Sequence, residues 1–104
     1  MFVELLRRNY KQELDLFYYR TRNDREIDFL LRKGHRIEQL IQVCYDISSP
    51  KTMKREIDAL IEAAIELKCN NLLLITWDKE EQIEVNNLTV NLTPAYKWLN
   101  LNLL

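Results

Sequence analysis

A chain of 104 residues with 47% hydrophobic and 30% charged positions has the make-up of one globular domain, able to bury roughly two-thirds of its unfolded surface. Its apolar runs are under ten residues, too short to cross about 30 Å of hydrocarbon, and no secretion signal opens it, so a cytoplasmic location without membrane contact is expected. The net charge of −1 and pI near 5.8 argue against a tight, autonomous nucleic-acid binder.

The charge is unevenly placed. Residues 1–36 carry nine Lys or Arg against six acids, and residues 37–104 carry six against ten. Arg20, Arg22 and Arg25 cluster in the basic part, either as a solvated rim of turns or as a weak phosphate-facing, DNA-binding patch. Cys44 and Cys69 are the only cysteines and His35 the only histidine. That set lacks zinc-ligand spacing and suits two reduced, buried thiols.

In chain order, Phe2, Leu5 and Leu6 fall at helical spacing and predict a helix over 1–9, starting without a cap, as if inside an element of a larger protein. Strands are predicted over 15–21 and 26–32 around the polar turn Arg22-Asn23-Asp24-Arg25. Lys33-Gly34-His35 then turns the chain into a long strand over 36–46. Ser49 before Pro50 is a helix start. Met53, Ile57, Leu60, Ile61, Ala64 and Leu67 give a helix over 50–68 with one apolar face, ended by Asn70 or Asn71 in a left-handed conformation. Leu72 to Trp77 reads as a strand covered on both faces, and 81–85 and 88–92 as a hairpin around Asn86-Asn87. The tail from Pro94, with Tyr96, Trp98 and Leu99, is expected to dock as a short helix.

Two adjacent strands carry the polar residues of interest. With period-two alternation, Ile27, Phe29 and Leu31 share a face and Asp28 lies on the other. Ile41, Val43 and Tyr45 oppose Gln42, Cys44 and Asp46. A buried Asp28 needs a partner or a cation, since burying even a neutral polar group costs roughly 2–7 kcal/mol.

Phe2-Val3-Glu4-Leu5-Leu6-Arg7-Arg8, Tyr18-Tyr19-Arg20-Thr21, Glu26-Ile27-Asp28-Phe29-Leu30, Leu40 to Asp46 and Leu73 to Asp78 together resemble the C-terminal domain that follows the motor in many bacterial and archaeal AAA-type ATPases. That domain in turn is similar to the PD-(D/E)xK nuclease core of Holliday-junction resolvases and restriction endonucleases. The resemblance implies a restriction-endonuclease-like α/β fold of order α-β-β-β-α-β, with a mixed four-to-six-stranded sheet flanked by helices. It makes 1–104 a single domain, the C-terminal fragment of a larger ATPase. Glu4 then matches the helix Glu of that core and Asp28 its metal-binding Asp. Gln42 stands in place of the second carboxylate and Cys44 in place of the lysine. Mg²⁺ prefers anionic oxygens, and a cysteine supplies no cation to steady developing charge, so the site reads as degenerate, with no cofactor expected and Mg²⁺ only in an active form.

Each residue also has a plainer reading. Asp28 can be an acid hydrogen-bonded to neighbouring strands, Gln42 a satisfied core residue, and Cys44 a small hydrophobe. Glu4 can pair with Arg7 or Arg8, and Asp46 can cap a strand end or the next helix. Tyr18, Tyr19, Trp77 and Trp98 can pack or stack on bases. The charges Lys51, Lys54, Arg55, Glu56, Asp58, Glu62 and Glu66 read as a solvated helix face. No phosphate-binding loop is present, so ATP hydrolysis would reside in an N-terminal motor. The function expected is an accessory, non-cutting domain that docks on that motor and binds DNA weakly. The alternatives are a protein-interaction module, homo-oligomeric or not, and an active nuclease recruiting Asp46.

Overall fold

The computed structural model describes residues 15–101; the helix expected over 1–9, with Glu4, lies outside them. The elements are β1 (Asp15–Arg20), β2 (Glu26–Lys33), β3 (Arg36–Val43), α1 (Pro50–Leu67), β4 (Leu72–Thr76), β5 (Glu81–Val85), β6 (Leu88–Pro94) and α2 (Ala95–Leu101). They form a six-stranded mixed sheet of order β1-β2-β3-β4-β6-β5. β1, β2 and β3 are antiparallel, β3, β4 and β6 run parallel, and β5 closes the far side antiparallel to β6.

The parallel pair β3–β4 needs a long crossover, and α1 supplies it. One core joins the sheet to α1 through Leu30, Leu40, Leu72, Leu74, Val90 and the helix residues Ile57, Leu60, Ile61 and Ala64. A smaller one on the opposite face joins Leu31, Ile41, Leu73 and Ile75 to Ala95 and Trp98 of α2. Every residue of β4 is buried, as its unbroken apolar run requires when helices cover both faces.

Three expectations change. Ile27 does not share a face with Phe29 and Leu31: it joins Leu30 in the core beneath α1, whereas Phe29 and Leu31 face α2. Between Phe17↔Leu30 and Tyr19↔Ile27, β2 advances three residues while β1 advances two. This bulge inverts the alternation that a regular strand would keep. The strand expected over 36–46 ends at Val43, although Cys44 N–H and the Tyr45 carbonyl still bond Ile75 and Trp77 beyond it. Trp77 likewise lies beyond β4.

The third change is at the end of α1. The left-handed residue is Lys68 (φ 56°, ψ 42°), not Asn70 or Asn71. Cys69 N–H and Lys68 N–H both donate to the Ala64 carbonyl, satisfying a helix end that has run out of partners. Ser49 caps the other end, accepting from Thr52 N–H at 3.4 Å. Asn86 (φ 53°) and Asn87 (φ 65°) form the hairpin turn, which needs two left-handed residues.

A side chain at Lys68 holds a conformation that glycine adopts freely. Lys68→Gly is expected to raise stability by about 1 kcal/mol, read as a higher urea midpoint at unchanged slope.

Candidate functional site

β2 and β3 pair through Phe29↔Ile41 and then part. Beyond that point β2 continues against β1 through Tyr19↔Ile27, and β3 continues against β4 through Gln42↔Leu74. The sheet therefore forks, which strands main-chain donors and acceptors on both prongs.

Gln42 bridges the fork. Asp28 N–H donates to Gln42 Oε1 at 2.7 Å, and Gln42 Nε2 donates to the Glu26 carbonyl at 3.0 Å. The donor on one side and the acceptor on the other fix the orientation of the amide. Nε2 also donates to Glu56 Oε2 on α1 at 2.9 Å. Asp28 returns the bridge, its Oδ2 accepting from Val43 N–H at 2.9 Å. Together these bonds line a cleft of about 410 Å³ between the fork and α1, with Arg25 and Arg55 at its sides.

The expected neighbours Asp28 and Gln42 are thus together, and Gln42 is the satisfied core residue of its plainer reading, but the expected burial of Asp28 is not found. Gln42 is 3% exposed, whereas Asp28 stands in solvent. The premise that Asp28 is a buried carboxylate fails because the bulge turns this stretch of β2 toward the cleft mouth. Glu56, read from sequence as part of a solvated face, is the half-buried acid here, with 16% of its side chain exposed. Burial, and next the charge of Asp28, push its carboxyl above the usual range. The sequence did carry a signal for it: Glu56 falls three after Met53 and four before Leu60, inside the apolar stripe.

Cys44 packs half-buried beneath α1, its Sγ 3.5 Å from the Asp46 carbonyl. Burial, and next the charge of Glu56, hold the thiol protonated by raising its pKa, the opposite of an activated nucleophile. Cys69 is buried and both thiols are free. Asp46 accepts from Ser48 Oγ at 2.6 Å and Ser48 N–H at 3.1 Å and lines a different cleft.

Among the described residues, which do not include Glu4, the donors do not make a divalent-cation site. The Gln42 oxygen is occupied by Asp28 N–H and its amide nitrogen faces Glu56. Among the described residues no three His, Cys, Asp or Glu side chains converge as a metal site.

Of the three candidate arginines, Arg20 ends β1 and Arg22 and Arg25 lie on the β1–β2 turn, and all three have acids beside them. Arg20 pairs with Asp24 and, at 2.9 Å, with Glu26. Arg25 Nε contacts Glu62 Oε2 at 2.9 Å, and the charge of Arg22 acts on Glu66. Glu62 and Glu66 are not simply a solvated face. Glu66 accepts from Tyr19 OH at 2.7 Å and Arg22 N–H at 2.9 Å, and Glu62 from Asn23 N–H at 3.2 Å. The Tyr19 hydroxyl, then Arg22 N–H, lower the Glu66 pKa, so the clamp holds at neutral pH and weakens as acid protonates Glu66. Trp98 is core, while Tyr18 (55% exposed) and Trp77 (67%) are open.

The model for a domain of unknown function, DUF4143, matches residues 1–95. The chain belongs to the DUF4143 family. An uncharacterized protein of Methanocaldococcus jannaschii is 36% identical over 104 residues, covering 94% of this chain. The chain spans 23% of that relative's length. No helix among the described residues is long and apolar enough to cross a membrane.

Glu56→Gln tests the electrostatics of the fork, since a glutamine oxygen still accepts from Gln42 Nε2. The folded-state pKa of Glu56 is raised, so its contribution is fully present below the ordinary glutamate value and lost as pH rises through the folded one. The variant is therefore expected to be at least as stable as wild type near pH 7. That advantage should shrink toward about pH 5, as followed by thermal unfolding at both pH values.

Proposed function

We propose that this domain is a nuclease-derived accessory module of an AAA-type ATPase, restriction-endonuclease-like in fold and no longer able to cut. The observation that carries this reading is the use made of Gln42. At the position where the related nuclease core has its second carboxylate, a neutral amide spends all its polar atoms on holding two strands and a helix together. An acid there would place a third carboxylate beside Asp28 and Glu56 and would lose both donated hydrogen bonds. The protonated Cys44 supplies no cation where such chemistry needs one. Three antiparallel strands, a crossover helix and a parallel fourth strand support the fold assignment. The accessory role would be to dock on the motor, with the cleft as a brace. An active site recruiting Asp46 is disfavoured by that residue's bonds to Ser48.

Weak DNA contact through Arg20, Arg22 and Arg25 belongs to the same proposal. The alternative, a protein-interaction module, is favoured by one feature of the rim: the ion pairs of Arg20 with Asp24 and Glu26, and of Arg25 with Glu62, leave little free positive charge for phosphates. A DNA titration separates the two readings. Salt-sensitive binding weakened by Arg20→Ala or Arg22→Ala supports DNA contact, and self-association without DNA affinity supports the interface role.

Two measurements test the loss of cutting. Supercoiled or branched DNA with Mg²⁺ or Mn²⁺ is expected to stay intact, and specific nicking abolished by Asp28→Ala would overturn the proposal. Gln42→Glu is expected to cost about 3–5 kcal/mol in the absence of cations, as an uncompensated buried charge does. If the frame descends from a metal site, Mn²⁺ should raise the melting temperature of this variant but not of wild type.

A further inference from the structure

A second cleft, of about 500 Å³, opens beyond the carboxyl ends of β3 and β4, the edge of an α/β sheet where ligands usually sit. Tyr45 and Trp77 line it with ring centroids 6.1 Å apart and planes at 76°. They are 47% and 67% exposed, so two large aromatic surfaces face water while contributing little to the core. Asp46, Asp78 and Lys79 are its ionisable neighbours.

We infer that this cleft recognises an arginine side chain carried on a basic segment of a partner polypeptide. The loops that bear it are held by their own hydrogen bonds. Trp77 N–H donates to the Tyr45 carbonyl at 3.2 Å and Cys44 N–H to the Ile75 carbonyl at 2.9 Å, joining the two loops. Thr76 Oγ1 accepts from Lys79 N–H at 3.0 Å and donates to the Lys79 carbonyl at 2.7 Å. Ser48 fixes the Asp46 carboxylate through both its hydroxyl and its N–H. A site already ordered loses little entropy when it is filled.

The chemistry selects the occupant. A guanidinium stacks on an aromatic face and offers paired donors to a carboxylate, which an ammonium does less well. Two carboxylates against one ammonium favour a cation. Bases could stack on the rings, but the phosphates that accompany them would meet Asp46 and Asp78. The cleft is separate from the Gln42 fork, so this inference does not rest on the nuclease-derived reading.

The experiment is an NMR titration of the full chain, following indole N–H signals, with a blocked Gly-Arg-Gly-Arg-Gly peptide. Its citrulline counterpart, equal in shape and without charge, is the control. Trp98, 3% exposed in the core, serves as an internal reference that should not move. Expected is saturable movement of Trp77 with the arginine peptide, weakened roughly tenfold by citrulline and by Tyr45→Ala, and roughly threefold or more by Asp46→Asn or Asp78→Asn. In Asp46→Asn the amide oxygen can still accept from Ser48, and Tyr45 is 47% exposed, so these variants keep the fold and the Trp77 signal. The absence of saturable movement, or equal affinity for the citrulline peptide, would overturn the inference. So would tighter binding of oligothymidylate, or Trp77 shifts driven by protein concentration alone, which would assign the cleft to single-stranded DNA or to a second copy.

Discussion

The forked end of this sheet depends on one side-chain amide. Where β2 and β3 separate, the main-chain groups of Glu26 and Asp28 lose the partners a continuous ladder would give them. Leaving such groups unmet costs about 1–3 kcal/mol each. Gln42 is long enough to reach both, carries a donor and an acceptor, and has a second N–H left for Glu56 on α1. A carboxylate could accept from Asp28 but could donate to nothing. The residue type is therefore dictated by the fork itself, and the same bonds order the cleft.

The fork is in turn tied to the turn between β1 and β2. Glu62 and Glu66 project from the later turns of α1 and capture the main-chain N–H groups of Asn23 and Arg22, while Glu56 from the same helix meets Gln42. One helix thus holds the β1–β2 turn directly and the start of β2 through Gln42, with three carboxylates spaced six and four residues apart. Arg20 and Arg25 are drawn into the same network by Asp24, Glu26 and Glu62. A charge count along the sequence overstates the positive potential such a surface presents.

Much of the architecture was legible in advance, because it rests on local signals: Ser49-Pro50 for the start of α1, the unbroken apolar run of β4, Asn86-Asn87 for the last hairpin. The pairing of Asp28 with Gln42 followed from strand order. The sequence failed where tertiary geometry overrides local pattern. The bulge in β2 moved Ile27 to the α1 side and left Asp28 exposed, and nothing in Glu26 to Leu31 signals an extra residue, since its cause is the divergence of two neighbours. Lys68 became the left-handed residue, although Asn70 and Asn71 tolerate that conformation better, because the helix must end where Cys69 can enter the core.

Glu56 shows why the site itself was harder to read than the fold. A charge within an amphipathic helix is by default solvent-facing, as Lys51, Lys54 and Arg55 of α1 are. What distinguishes Glu56 is a neutral partner on β3 that neither residue announces alone: Gln42 looks like a polar residue misplaced in a strand, and Glu56 like one more surface acid. Each is explained by the other and by a gap between strands that exists only in three dimensions. What a polar cleft can do depends less on which residues line it than on whether their lone pairs and protons are already committed to the protein.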